Sequence, residues 1–277
     1  MERKVKLHSL GDRVEIAGGV LMPRLGLGTA DAPDGHEVEN AVMHALNIGY
    51  RGVDTASIYL NERSVGRALR ASGLPRDNVF VATKVWNSDQ GYDSTLAACE
   101  RSLSRLGLEY VDLYLVHWPD PEHDRDTWRA MEELRATNKV RAIGVCNHLT
   151  HHLEELLSAA NVPPAVNQIE YHPRLQRPDL RRFCEAHNII VQAWSPLMLG
   201  QVADVPELVE IGLRHGKTAA QVSLRWILQH GVTAIPKSIR KDRIIENADV
   251  FDFALTGENM ATIDGLDAGV TRQFPPP

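Results

Sequence analysis

The 277-residue sequence predicts an α/β fold, a (β/α)8 TIM barrel with an N-terminal β-hairpin capping the barrel bottom. Three observations predict it. Short apolar runs rich in Val, Ile and Leu alternate about eight times with longer amphipathic stretches, which is the rhythm of a parallel sheet. Eight such units fill the roughly 250 residues that a barrel of this kind occupies. The phosphate loop of the rival open dinucleotide fold is absent, because the nearest candidate, Gly26-Leu27-Gly28-Thr29-Ala30-Asp31, lacks the third glycine of GxGxxG.

In chain order, Lys4 to Leu10 and Arg13 to Ile16 flank Gly11-Asp12 and predict the hairpin that plugs the amino-terminal mouth. Barrel strands are expected at Leu25 to Thr29, Gly52 to Asp54, Val79 to Lys84 and Val111 to His117. Four more follow at Ala142 to Cys146, Val166 to Ile169, Ile189 to Ala193 and Thr233 to Pro236. The segments between them carry helical spacing. Leu96, Cys99, Leu103 and Leu106 share a face that Gly107 stops, Leu180, Phe183 and Cys184 form a second stripe, and Val222, Leu224, Ile227 and Leu228 a third. No linker interrupts this alternation, so residues 1–277 are read as one domain with a loose Pro275-Pro276-Pro277 tail.

Composition narrows the function. A chain that is 43% hydrophobic and 24% charged is not disordered, and at this size it buries enough surface to need neither a disulfide nor a metal as a staple. Cys99, Cys146 and Cys184 are odd in number and far apart, which suits a reducing, cytoplasmic compartment. A formal charge of -6 gives no general attraction to nucleic acid or to an anionic membrane. Met1 to Val14 lacks the apolar core of a signal peptide, and no apolar run approaches roughly 18 residues.

Side chains at the carboxyl ends of barrel strands converge on one mouth. There the second strand ends in Asp54 with Tyr59 five residues on, the third in Lys84 and the fourth in His117. Singly, each has a plain reading: a loop cap, a packed ring, a solvated amine, a satisfied barrel histidine. Together they make a proton-delivery site. A phenol with a reference pKa of about 10 is too weak an acid alone, but a neighbouring ammonium lowers it. Asp54 would hold Lys84 charged and aimed, and His117 would orient a carbonyl oxygen. Such a site needs a hydride source that no side chain supplies, which points to a nicotinamide cofactor. His148, His151 and His152 have the spacing of one helix face, but without an acidic ligand they do not make a convincing metal site.

The motifs also carry a resemblance. Gly49-Tyr50-Arg51-Gly52-Val53-Asp54-Thr55-Ala56 and Leu113-Tyr114-Leu115-Val116-His117-Trp118-Pro119 resemble second- and fourth-strand signatures of the aldo-keto reductases. Ile143 to Asn147, Asn167 to Glu170, Trp194-Ser195-Pro196-Leu197 and Ile235-Pro236-Lys237-Ser238 follow in order, so the likeness runs from about Met22 to Ala268. Trp86-Asn87, Val166-Asn167-Gln168 and Asp249 to Phe253 are most similar to prokaryotic reductases of diketogluconate or methylglyoxal-like carbonyls.

The resemblance implies that Asp54, Tyr59, Lys84 and His117 form a catalytic tetrad. It implies that Asn147 and Gln168 bind a nicotinamide carboxamide, that Trp194 stacks on the ring, and that Ser195 and Leu197 approach the pyrophosphate. Lys237, Ser238, Arg240 and Arg243, continuing to Glu246 and Asn247, form a phosphate-binding segment whose arginines favour NADPH over NADH. Ala30, Trp86, His117 and Trp118 are expected to border the substrate.

The chain departs from the family pattern at three positions. Ala30 replaces an aromatic residue, Leu60 a small residue beside Tyr59, and Cys146 a serine. Ala30 and a short carboxyl tail imply an open pocket, Cys146 is a poorer hydrogen-bond partner for the carboxamide than serine, and the loop at Pro196 to Gln201 is longer than the compact glycine-rich version. The sequence therefore describes a soluble, monomeric NADPH-dependent reductase of small aldehydes or ketones. The departures leave open a second function, an NADPH-binding sensor with little turnover.

Overall fold

A computed structural model describes residues 7–271 of the chain. Two antiparallel strands come first, β1 (Arg13–Ile16) and β2 (Val20–Pro23). Eight parallel strands then follow in sequential order: β3 (Leu27–Gly28), β4 (Gly52–Asp54), β5 (Phe80–Val85), β6 (Val111–Val116), β7 (Val140–Cys146), β8 (Val166–Glu170), β9 (Ile190–Trp194) and β10 (Thr233–Ala234). The sheet closes on itself. Gly26 N donates to Ala234 O at 2.9 Å and Gly28 N to Pro236 O at 3.1 Å, joining the first barrel strand to the last. Gly28 is required at this seam, since a Cβ there would lie 2.7 Å from Ile235 O.

Helices α1 (His36–Asn47), α2 (Glu62–Ala71), α3 (Tyr92–Leu106), α4 (Asp124–Ala136), α5 (Thr150–Ala159) and α6 (Pro178–Ala186) connect successive strands through β9. The pair α7 (Pro206–His215) and α8 (Ala219–Gln229) precedes β10, and α9 (Lys241–Ala248) and α10 (Gly257–Asp264) end the fold. The expected stripes are where burial falls. In α3, Thr95, Ala98, Cys99, Ser102, Leu103 and Leu106 are buried, and Gly107 ends the helix in the left-handed region at φ 67°. In α8 an apolar face including Val222, Leu224, Ile227 and Leu228 packs inward behind a Thr218 cap that accepts from Gln221 N.

All eight barrel strands stand where the sequence puts them, with the first and last shortened to two residues. The hairpin is displaced. Gly11-Asp12 is not its turn: Asp12 accepts hydrogen bonds from His8 N and Ser9 Oγ, and the ladder pairs Arg13 with Pro23 and Ile16 with Val20. Reversal occurs at Ala17-Gly18-Gly19, where φ is +82° at Gly18 and +77° at Gly19, a geometry that glycine adopts without penalty. Residues 4–6 of the expected first strand, and the Pro275-Pro276-Pro277 tail, lie outside the described residues.

The strand period of two sorts the barrel interior into an apolar floor and a polar roof. Phe80, Leu113, Ala142 and Val166 form a cluster low in the barrel with Ile16 and Met22 of the hairpin, so the hairpin plugs the amino-terminal mouth. Two to four residues further along the same strand faces come Lys84, His117, Cys146 and Gln168. The outward-facing residues of the strands, among them Val81, Tyr114, Ile143 and Ile169, make the larger core with the helices.

Candidate active site

Asp54 ends β4, Lys84 lies near the end of β5 and His117 follows β6, and the parallel register sets them around one mouth. Lys84 is fully buried. Its Nζ donates to Asp54 Oδ1 at 2.5 Å and to Thr55 O at 2.9 Å, and the ammonium sits 5.1 Å from the centroid of the Tyr59 ring. Tyr59 closes a single 3-10 turn, Ser57–Tyr59, that follows β4. The His117 ring meets the Tyr59 ring edge-on at 5.7 Å and the Trp86 ring at 4.9 Å. The structure thus brings together all four residues expected at the mouth, with Trp86 against them.

The electrostatics differ from the expectation in one respect. In the site as it stands Tyr59 is not made acidic: burial pushes the phenol up to about 12, and the opposing charge of Lys84 recovers only part of that. Desolvation of the phenolate outweighs the attraction because Asp54 already neutralises the ammonium. Burial also works against the charge on Lys84, but Asp54 and Tyr59 outweigh it and raise its pKa above that of a free lysine. His117 is held well below the usual imidazole range by burial first and by Lys84 second, so its ring is neutral at pH 7. Its Nδ1 is buried without a protein partner.

A second layer fixes this group. Asn61 stands at the amino end of α2, yet its side chain caps nothing there. Instead it accepts from Thr55 Oγ1 at 2.8 Å and donates to Thr29 O at 2.9 Å and Ala32 O at 3.0 Å, tying the Tyr59 turn to the loop that carries Ala30. Thr29 Oγ1 donates to Asp54 O at 2.9 Å. Glu62, also buried, accepts from Thr83 Oγ1 at 2.7 Å, next to Lys84, and from Arg105 Nε at 2.6 Å. Asn61 and Glu62 stand two and three residues after Tyr59, which is their one signal in the sequence; nothing there singles out Thr29, thirty residues earlier.

Residues expected to hold a cofactor lie around the same mouth. Asn147 bridges it, with Nδ2 donating to His117 O at 3.0 Å and Oδ1 accepting from Trp194 Nε1 at 2.8 Å. Gln168 Nε2 donates to Asp54 Oδ2 and to Gln192 Oε1, both at 2.8 Å, while its Oε1 has only the Cys146 thiol at 3.9 Å. Asn147 keeps one N–H and one lone pair, and Gln168 keeps oxygen lone pairs. Trp194 is half-buried with its indole tethered through Asn147, Ser195 and Leu197 are half-buried beyond it, and burial pushes the Cys146 thiol up so that it stays protonated.

Past β10, Lys237, Arg240 and Arg243 are exposed. Lys237 Nζ donates to Asp31 O at 3.2 Å across the barrel seam, Arg240 pairs with Asp242, and buried Ser238 accepts from Arg240 N at 3.1 Å. Glu246 accepts from Thr218 Oγ1 at 2.6 Å and Asn247 is buried on α9. Of the substrate candidates, Ala30 and Trp118 are half-buried at the mouth. The donor and acceptor capacity left over at Asn147, Gln168 and His117, together with a tethered indole and exposed guanidinium groups, fits a nicotinamide dinucleotide.

Backbone strain marks the same rim. Nine non-glycine residues have positive φ among those described, and seven of them (Asp31, Leu60, Asn147, Arg177, Ser195, Met198 and Leu199) lie in loops that follow barrel strands. The other two are asparagines after helices, where that conformation costs little. The three histidines do not share a helix face. His148 precedes α5 and turns inward to Cys146 O at 2.9 Å, while His151 and His152 lie on the helix, and no metal-binding group of three side chains occurs among the described residues.

The aldo/keto reductase family profile matches residues 24–268. The chain belongs to the aldo/keto reductase family. This aldo-keto reductase is 53% identical to the glyoxal reductase of Bacillus subtilis (strain 168), an alignment covering 94% of each chain. It is 54% identical to the 9,11-endoperoxide prostaglandin H2 reductase of Trypanosoma cruzi (strain CL Brener), covering 92% of this chain and 91% of that one. Among solved structures, an aldo-keto reductase from a deep-sea metagenome library of the Medee basin superposes with a TM-score of 0.92 at 42% identity, over 95% of this chain and 98% of that one. A Bombyx mori aldo-keto reductase solved in complex with NADP superposes with a TM-score of 0.88 at 32% identity, over 96% and 95%. This aldo-keto reductase is accordingly an oxidoreductase with the (β/α)8 fold of its family.

Proposed function

We propose that the chain is an NADPH-dependent reductase of small aldehydes and ketones, with dicarbonyls of the glyoxal and methylglyoxal type and keto-sugar acids as its substrate class. The observation that carries this is the buried Lys84–Asp54 pair beneath Tyr59, with the neutral His117 ring alongside. Bound NADPH supplies the hydride for the carbonyl carbon. Tyr59, a phenol whose pKa burial raises further, gives its proton to the carbonyl oxygen as negative charge develops there. The phenolate that remains is stabilised by the Lys84 ammonium, which Asp54 and Thr55 O hold in place. His117, being neutral, donates one hydrogen bond to the same oxygen without adding a charge that would compete with Lys84.

Asn147 and Gln168 hold the carboxamide, Trp194 backs the ring, and Ser195 and Leu197 border the pyrophosphate. Lys237, Ser238, Arg240 and Arg243, with Glu246 and Asn247 behind them, take the adenosine phosphate. Guanidinium groups bind a 2′-phosphate bidentately, which favours NADPH over NADH. Ala30, Trp86 and Trp118 border the substrate. The B. subtilis relative's name supports the dicarbonyl class. The protein acts as a single-domain, cytoplasmic monomer; its three cysteines are free and buried, and no helix among the described residues is long and apolar enough to cross a membrane.

Tyr59→Phe tests the assignment. Loss of the proton donor should lower kcat for glyoxal by about 10²- to 10⁴-fold while NADPH still binds. Near-normal turnover by the variant would exclude Tyr59 as the acid. A parent enzyme that binds NADPH but does not oxidise it when glyoxal is added would instead make the barrel a sensor.

A further inference from the structure

Beneath the tetrad a chain of buried polar side chains runs down to the hairpin plug. Asp54, Gln168, Gln192 and Met22 are each less than 5% exposed, and they connect in that order. Gln168 Nε2 donates to Asp54 Oδ2 and to Gln192 Oε1, both at 2.8 Å, and Gln192 Nε2 donates to Met22 Sδ at 3.7 Å. Both ends of the chain can only accept: a carboxylate has no proton to give, and neither has a thioether. An acceptor at the floor requires the Gln192 amide to point its NH2 group down and its oxygen up. That oxygen in turn requires an N–H from Gln168, as does Asp54 from the other side. Both hydrogens of Gln168 Nε2 are then engaged, and Oε1 is the one atom of the amide left for a ligand.

Resting on the NADPH-dependent reduction proposed above, we infer that Gln192 is a positioning residue: held from below by Met22, it fixes the Gln168 amide so that its carbonyl oxygen, and not its NH2 group, faces the carboxamide N–H of the cofactor. Gln192 touches neither cofactor nor substrate. Its sequence signal is its place two residues before Trp194 on the same face of β9, opposite Gln168 in the register.

The test is binding, read by titration of protein fluorescence, with Gln192→Met and Gln192→Glu. Methionine fills the space but offers no strong acceptor, so Gln168 loses one of its two restraints, and NADPH should bind about five-fold more weakly. The fragment 2′,5′-ADP, which has no nicotinamide, should bind both proteins equally. Gln192→Glu, buried beside Asp54 and so held as the neutral acid, keeps a carbonyl acceptor toward Gln168 Nε2 and an O–H donor toward Met22 Sδ, and should keep NADPH affinity within about three-fold of the parent. Unchanged NADPH affinity in Gln192→Met would overturn the inference. So would an equal loss for 2′,5′-ADP, which would mark a general disturbance of the fold. Failure of the parent itself to bind NADPH would refute the proposed function instead, so the two failures are distinguishable.

Discussion

Replacing Lys84 by methionine should separate what the buried ion pair does for the fold from what it does for the chemistry. The Lys84 side chain is 0% exposed and that of Asp54 4%, with Nζ and Oδ1 2.5 Å apart. Without the ammonium, Asp54 keeps one donor, Gln168, and Thr55 O loses its partner. Removing one member of such a pair costs about 3–5 kcal/mol, because the charge left behind is neither hydrated nor compensated. For a chain of this length that lowers Tm by roughly 6–20 °C. Adding Asp54→Asn removes the stranded charge. The double variant should recover to within about 2 kcal/mol of the parent, since replacing both partners of a buried pair is often close to neutral. Activity should not return with stability, because nothing then stabilises the Tyr59 phenolate. Urea unfolding followed by circular dichroism, run beside NADPH oxidation with glyoxal, measures both quantities. A Lys84→Met protein as stable as the parent, or a double variant less stable than the single one, would refute the reasoning.

Two further outcomes follow from single residues. Leu60 holds a left-handed backbone at φ 57° with 78% of its surface exposed, so Leu60→Gly should stabilise the fold by about 0.5–1 kcal/mol, the relieved strain less the added chain entropy of glycine; a Tm below that of the parent would contradict this. His148 is buried, and desolvation is the main cause that takes its pKa from 6.5 to about 4. Below pH 6.5 the unfolded chain therefore binds a proton that the native chain does not bind until about pH 4, so this site removes stability as pH falls through that window, by roughly 1.4 kcal/mol per pH unit at most. His148→Gln, which can still donate to Cys146 O, should flatten that acid loss in urea midpoints measured from pH 7 to 4, and parallel curves for the two proteins would exclude the assignment.

The barrel strands were legible because each is a short apolar run between amphipathic stretches, and a strand buried on both faces needs no finer pattern. Asp54, Lys84 and His117 are legible as polar residues at the carboxyl ends of those runs, and Tyr59 only by its place five residues past Asp54. The hairpin was misplaced because Gly11-Asp12 and Gly18-Gly19 both read as turns, and only the seating of Ile16 and Met22 in the barrel floor selects the second. The spacing of His148, His151 and His152 suggests one helix face, but the helix begins at Thr150, since spacing alone does not say where backbone hydrogen bonding starts.

The amino-acid order by itself determined the eight-fold alternation, the inward face of each helix and the side chains at the strand ends, all consequences of local periodicity. Only the tertiary structure decided the direction in which the Tyr59 pKa moves, where burial outweighs the neighbouring ammonium, and the partners of Asn61, Gln168 and Gln192. Desolvation and hydrogen-bond direction depend on which atoms meet across the closed barrel. Gln168 and Asp54 are 114 residues apart in the chain and 2.8 Å apart in the fold, a relation no local pattern encodes.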